Sequence, residues 1–273
     1  MGGGLPLMEK IEGVLIDLDG TIWRGNELIP QADEAVAYLR SLGKRLVFVS
    51  NRGNWSRRMC HEQLRRFGIA VAEEEIILSS TVTAQFLRAH YPLCQVWTLG
   101  DEGLHEELQH YQVPLAPVPE EADFLVITLH ETMTYRDLDL AFRAVHHGAR
   151  MIATNIDKMF PNEHGNAIDV AGMVGAIEAA TARKVEVVLG KPSCFMAEAA
   201  LRQLKVPPDL CLVIGDSVQS DIRMGRMYGM KTALVLTGNT KRSQLDMLRE
   251  KERPDYVIDS IYDIIGLGKG VMW

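Results

Sequence analysis

The chain is short of several things, and each shortage removes a class of protein. It has 4 cysteines in 273 residues (Cys60, Cys94, Cys194 and Cys211) and no C-x-x-C pair among them. A chain of this length buries enough apolar surface to fold without covalent staples. Free thiols in a reducing cytoplasm are therefore expected, rather than a disulfide framework or a zinc ribbon. Positive charge is also scarce: 29 Lys and Arg against 36 Asp and Glu give a net charge of -7. That balance argues against nucleic acid or an anionic membrane as partner. Basic pairs such as Arg57-Arg58 and Arg65-Arg66 read as solvated helix faces. No apolar run approaches the roughly 20 residues of a membrane span. The opening MGGGLPLMEK has no basic segment followed by a long apolar one, so no secretory signal is expected in it.

Familiar catalytic signatures are missing too. There is no G-x-S-x-G, which disfavours an α/β-hydrolase. HEELQH, starting at His105, misses the H-E-x-x-H spacing by one residue, and the other histidines form no ligand pattern. A phosphate loop ending at Lys191 would need glycine at 185, where Val185 stands. A calcium loop counted from Asp17 would put Ile22 and Leu28 where glycine and glutamate are required.

What is present is a regular alternation of short apolar strands with amphipathic helices. VLIDLD, RLVFVSN, VWTLG, DFLVITL, RMIATN, VEVVLG, CLVIGD and TALVLTG read as strands. The segments between them carry apolar residues at helical spacing. Helix punctuation supports this: Gly43 and Gly68 as stops, Ser80 as an N-cap, and Thr134 with Asp137 as a capping pair. Near-continuous apolar strands joined by helices predict a parallel α/β sheet covered on both faces. No linker of biased composition interrupts the chain, so a second domain must be an insertion.

In an open parallel sheet, ligands bind beyond the carboxyl ends of the strands. The strand ends here carry Asp17 and Asp19, then Ser50, Asn51 and Arg52, then Lys191, then Asp216 with Asp221 shortly after. Each has an ordinary alternative. D-x-D-G occurs in turns, Ser-Asn and Gly-Asp-Ser start helices, and Lys-Pro can open one. Thr21 after the aspartate pair, and the buried strand before it, favour a site at Asp17.

Taken in order, Asp17-x-Asp19-Gly20-Thr21, Ser50, Lys191, and Gly215-Asp216 with Asp221 resemble the four motifs of the haloacid dehalogenase-like (HAD) phosphatases. The intervening α/β segment resembles the C2 cap of their class IIA, NagD-like branch. ATNID and AGMVGAIEAAT are similar to stretches of that cap. LIDLDGTIWRGNELI, VFVSNRGN and FPNEHGNAIDVAGM are similar to the sugar phosphatases of arabinose operons (the AraL type). The resemblance implies a Rossmann-like HAD core over residues 8–82 and 188–273, with a cap over residues 83–187. It implies hydrolysis of phosphomonoesters of small metabolites through an aspartyl-phosphate, with broad tolerance for sugar phosphates.

Asp17 is then the nucleophile, and Asp19 the acid and base, a role that calls for a raised pKa. An oxygen-only ligand set favours Mg²⁺. By resemblance Asp17 and Asp216 supply carboxylate oxygens, Asp19 its main-chain carbonyl, and Asp221 supports them from behind. Lys191 neutralises the phosphoryl group and Asp17. The Ser50 hydroxyl and the backbone N–H groups of Asn51 and Arg52 hold phosphoryl oxygens. The cap closes as a lid, and residues 156–169 form a polar loop in which Phe160, Asn162, Glu163 and Asn166 meet the leaving group. A homodimer through the cap fits the same branch. Nucleotides or pyridoxal phosphate are alternative substrates. Pyridoxal-phosphate-specific relatives carry His-Pro where this chain has Phe160-Pro161. A phospho-aspartate signalling module of receiver type is the alternative outside enzymes; Asp19 and the inserted cap count against it.

Overall fold

The structure is a computed structural model that describes residues 7–162 and 165–269. Glu163, expected to face the leaving group, lies outside the described residues. The chain opens with α1 (Leu7–Lys10), β1 (Gly13–Ile16) and a small antiparallel hairpin, β2 (Trp23–Arg24) with β3 (Glu27–Leu28). Then follow α2 (Ala32–Ser41), β4 (Arg45–Ser50), α3 (Arg57–Arg66), β5 (Ile76–Leu78) and α4 (Ser79–His90). The middle third holds β6 (Val96–Leu99), α5 (Glu102–His110), β7 (Phe124–Ile127), α6 (Tyr135–His146) and β8 (Arg150–Ala153). The hairpin β9 (Met159–Asn162) with β10 (Gly165–Ile168) leads into α7 (Val170–Thr181) and β11 (Val187–Val188). The chain ends through α8 (Cys194–Leu204), β12 (Cys211–Gly215), a wide helical turn over Val218–Ile222, α9 (Arg223–Met227), β13 (Lys231–Val235) and β14 (Tyr256–Ile258).

Two parallel sheets result. The larger has the order β14-β13-β12-β1-β4-β5, the smaller β11-β8-β7-β6. In the larger sheet β1 is central, and Ile16 pairs with Phe48 on one side and Ile214 on the other. The three strands therefore finish within two residues of one another, and the residues that follow them emerge at one edge. The order in which strands are added switches sides between β1 and β12, which is where such sheets open a crevice.

Side-chain alternation assigns each strand to two layers. Val14, Ile16, Phe48 and Ile214 face α2, α3 and the fully buried Trp23. Leu15, Val47, Val49 and Val213 face α4 and α8, and this layer runs on without a break into Val96, Phe124, Val126 and Ile152 of the smaller sheet. The smaller sheet's other face packs on α6 and α7. The two sheets thus share one apolar layer.

Residues 51–57, from the end of β4 into the first residue of α3, are gripped at several points by the smaller sheet's unit. A Cβ on Gly53 would run into the hydroxyls of Thr128 and Thr154, and one on Gly103 of α5 would run into the backbone of residues 54–56. Ser56 Oγ donates to Glu106 (2.6 Å), and the Arg57 N–H to the buried Glu107 (2.8 Å).

Local details match the sequence in part. Ser56 caps α3 and Gly68 takes a positive φ of 76° after it. Thr134 and Asp137 form the expected capping box. Ser80 does not cap α4: the helix starts at Ser79, and Ser80 lies buried within it, donating to the Trp55 carbonyl (2.6 Å). Residues 156–169 are not an irregular loop. Met159 and Phe160 pair with Ile168 and Ala167 across a hairpin, because apolar residues flank the turn-forming run between them. The strand before Lys191 belongs to the smaller sheet, paired with β8, and not to the sheet edge that carries Asp17. No helix among the described residues is long and apolar enough to cross a membrane. The four cysteines are unpaired, and all but Cys194 are buried.

The junction yields a test. Gly53→Ala must displace a buried threonine pair joined by a 2.8 Å hydrogen bond. Overpacking of this kind costs about 1–3 kcal/mol. Urea unfolding should show that loss; an unchanged midpoint would mean that the junction yields freely.

Candidate active site

Asp17 follows the last residue of β1 and is 6% exposed. Its backbone N–H continues the pairing with the Ile214 carbonyl (2.9 Å), so the carboxyl group is aimed by the sheet. Thr21 Oγ1 donates to Asp17 Oδ2 (3.0 Å). Lys191 Nζ donates to Asp17 Oδ1 (2.5 Å), Asp221 Oδ1 (2.7 Å) and the Val49 carbonyl (3.1 Å). Lys191 thus reaches across from the smaller sheet's last strand and bridges two carboxylates of the larger sheet's edge. Asp221, in the turn after β12, also accepts from the Ser217 N–H (3.1 Å). Asp216 Oδ2 accepts from the Asn239 N–H (2.6 Å). Gly238 is required beside it, since a Cβ there would collide with that carboxylate.

One oxygen each of Asp17, Asp216 and Asp221 lie within 4.8 Å of one another, all three residues being buried. One ammonium faces three carboxylates, and burial dominates the result. It pushes the Asp17 carboxyl well above its ordinary value, against the pull of Lys191. It also holds Asp216 up to about 7, with the Asp221 charge adding to the rise. Lys191 is raised above the usual lysine range, because its two carboxylates outweigh its own burial. Clustered hard oxygen ligands with surplus negative charge suit a hard divalent cation. Asp17 and Asp216 are the residues that could hold it. Both oxygens of Asp221 accept hydrogen bonds, from Lys191 and the Ser217 N–H, as both oxygens of Asp17 do, from Lys191 and Thr21.

Asp19 is placed differently from its neighbours. Its carboxylate is forked by Arg52 Nε and Nη2 (2.8–3.0 Å) and accepts from the Trp23 indole N–H (2.9 Å). The Arg52 guanidinium lies 4.2 Å over the Trp55 ring. Burial alone would raise the Asp19 carboxyl, yet Arg52 and Trp23 together hold it below the usual range. The carboxylate-rich sequence pattern predicts a raised value; the turn of the Arg52 side chain onto Asp19 reverses it.

Residues 50–52 gather as expected at the end of β4, with two changes of detail. The Arg52 N–H donates to Ser50 Oγ (3.1 Å). The Asn51 side chain turns away from the phosphoryl end: its Nδ2 donates to Asp157 Oδ2 (2.9 Å) and its Oδ1 accepts from the Lys191 N–H (2.7 Å). Asn155 Nδ2 closes the knot on the Asn51 carbonyl (2.9 Å). Asn51 therefore fixes the backbone from which Lys191 reaches.

A cleft of about 210 Å³ joins these groups to Leu129, Glu131, Asp157, Lys158, Phe160 and Asp169 of the smaller sheet's unit. Asp157 and Asp169 escaped the sequence reading as individuals. Asp157 stood in the ATNID stretch, and Asp169 ended the loop, but neither lies at an end of the larger sheet's strands.

Family models described as haloacid dehalogenase-like hydrolase and HAD-hydrolase-like match residues 14–114 and 188–264. Over 94% of its length the chain is 55% identical to the sugar-phosphatase AraL of Bacillus subtilis, of which 93% is covered. A p-nitrophenyl phosphatase from Archaeoglobus fulgidus superposes with a TM-score of 0.87 at 38% identity, over 94% of this chain and 98% of that one. A glycerol phosphate phosphatase from Mycobacterium tuberculosis, in complex with calcium, gives 0.85 at 26% identity, over 95% and 76%. The chain belongs to the haloacid dehalogenase-like hydrolase family. It is a phosphatase of the NagD-like branch.

Two outcomes test the electrostatics. The Asp216 carboxyl is held at about 7 when folded, against about 3.9 unfolded. The folded state then binds more protons between those values, so stability falls as pH rises from about 4 to about 7. In metal-free Asp216→Asn that fall should shrink by on the order of a few kcal/mol, read from urea midpoints across pH in the presence of chelator. A slope equal to the unsubstituted protein's would contradict this origin. Lys191→Met leaves Asp17 and Asp221 unpaired in the interior, which should cost about 3–5 kcal/mol in the same assay.

Proposed function

We propose that the chain is a Mg²⁺-dependent phosphomonoester hydrolase acting through a phospho-aspartate, with sugar phosphates and similar small metabolites as substrates. The observation that carries this reading is the convergence of Asp17, Asp216 and Asp221 around Lys191 at one end of a cleft whose far end is lined by the second unit.

In this reading the Asp17 carboxylate, held by Thr21 and Lys191, attacks phosphorus as the bond to the leaving oxygen breaks. Asp19 gives its proton to the leaving oxygen, then takes one from the water that cleaves the phospho-aspartate. For the first step Asp19 must be protonated, and its fork with Arg52 opposes that. The incoming phosphoryl dianion competes for Arg52 and loosens the fork as it settles at Ser50. Lys191 balances the phosphoryl charge. Mg²⁺, held by Asp17 and Asp216, would supply further charge neutralisation at the phosphoryl oxygens. Residues 83–187 serve as the cap over the leaving group, and residues 8–82 and 188–273 as the catalytic core. A homodimer through the cap is supported by the exposed Ile156, Met159 and Ile168, and a cytoplasmic setting by the unpaired cysteines.

A panel of phosphomonoesters, with and without Mg²⁺, tests the chemistry. Turnover should require the metal and fall by at least about a thousandfold in Asp17→Asn. Metal-independent turnover, or an active Asp17→Asn, would sink the mechanism. A strong preference for one nucleotide or for pyridoxal phosphate would sink the sugar-phosphate reading alone.

A further inference from the structure

We propose that Asp157 and Asp169 select a neutral, hydroxyl-rich leaving group and turn away one that carries its own negative charge. The inference rests on the phosphatase reading above and specifies its substrate class.

The cleft is asymmetric. Its inner end holds Lys191 and the phosphoryl-facing groups; its outer half is walled by the second unit. Asp169 lines that half, yet is only 7% exposed. Its Oδ1 accepts from the Val170 N–H (2.7 Å). Its Oδ2 has no hydrogen-bond partner among the described residues. Asp157 is half-buried beside the Asn51 knot; Asn51 engages its Oδ2, and its Oδ1 likewise has no partner among the described residues. Each residue thus brings to the cleft a carboxylate oxygen that can accept from a substrate. The hydroxyls of a polyol are donors of the right kind, and two carboxylates on one wall can take several of them.

Charge on the same wall points the same way. Glu131 adds a third carboxylate on the rim. The nearby cations are engaged or peripheral: Arg52 is forked onto Asp19, Arg24 donates to the Thr237 carbonyl, and Lys158 sits exposed on the rim. A leaving group ending in a carboxylate or a second phosphate would face like charges with little to offset them. Leu129 and Phe160 supply apolar surface for the C–H face of a sugar. Burial holds the Asp169 carboxyl up to about 6, against the pull of the Val170 N–H and with the Asp157 charge adding to the rise.

The test is a ratio of kcat/KM for two substrates of similar size, glycerol phosphate and phosphoglycolate, measured on the full chain with Mg²⁺. The unsubstituted protein should favour glycerol phosphate by at least about tenfold. Asp169→Asn keeps an acceptor for the Val170 N–H, since asparagine caps helices as well as aspartate does. It should shrink the ratio by about tenfold, and Asp157→Asn should do the same; a ratio cancels any shared loss of catalytic power. A ratio near one in the unsubstituted protein would overturn the proposal, as would an unchanged ratio in both variants. Failure to turn over any phosphomonoester, p-nitrophenyl phosphate included, would instead overturn the phosphatase reading and this proposal with it.

Discussion

The ammonium of Lys191 is the interaction on which the rest of the site depends. It is 3% exposed as a side chain and joins Asp17 to Asp221 at 2.5 and 2.7 Å. Without it, three buried carboxylates would face one another with no fixed counter-charge. The sheet brings the aspartates to one edge because β1, β4 and β12 end in register, but the cation arrives from outside that sheet, after the last strand of the smaller one. The larger sheet alone supplies only the negative half of the site. Asn51 secures the connection by holding the Lys191 backbone to the end of β4.

Two aspartates one residue apart are driven in opposite directions. Asp17 sits among buried carboxylates and is raised; Asp19, turned the other way, meets Arg52 and Trp23 and is lowered. Both directions are opposite to what the proposed roles require, an ionised Asp17 and a protonated Asp19, so those roles depend on charge that arrives with the substrate and the metal. The short D-x-D spacing works because β1 ends just before the pair. Asp17 still continues the sheet's hydrogen bonding, while Asp19 already belongs to the turn into the β2–β3 hairpin, where the Trp23 indole reaches it.

Most of the architecture was legible in the sequence because buried parallel strands announce themselves as apolar runs, and the polar residue that ends each run marks the sheet edge. Asp17, Ser50 and Asp216 were found that way, and Lys191 through motif order. What stayed hidden depends on side-chain direction and on contacts far apart in sequence. Arg52 curls back onto Asp19 over 33 residues, and Asn51 reaches Asp157 across 106. Ser80 looked like a cap because serine favours helix starts, but burial against Trp55 gave its hydroxyl a different partner. The hairpin of residues 159–168 was masked by its short strands and by a Pro161 that reads as a strand breaker.

The grip on residues 51–57 has an implication for how such proteins diversify. This segment begins with the groups beside Asp17 and ends by capping α3, while Gly53, Ser56 and Arg57 meet the chain between β5 and β12. The insertion is therefore not an interchangeable module. A foreign unit grafted at the same two chain crossings would meet a segment shaped for Thr128, Thr154 and Glu107, and would leave Asn51 without Asp157 and Asn155. Successful exchange would have to carry residues 51–57 along with the insert, so the two stretches form one heritable block although their hydrogen-bonded partners lie 47 residues or more apart in the chain.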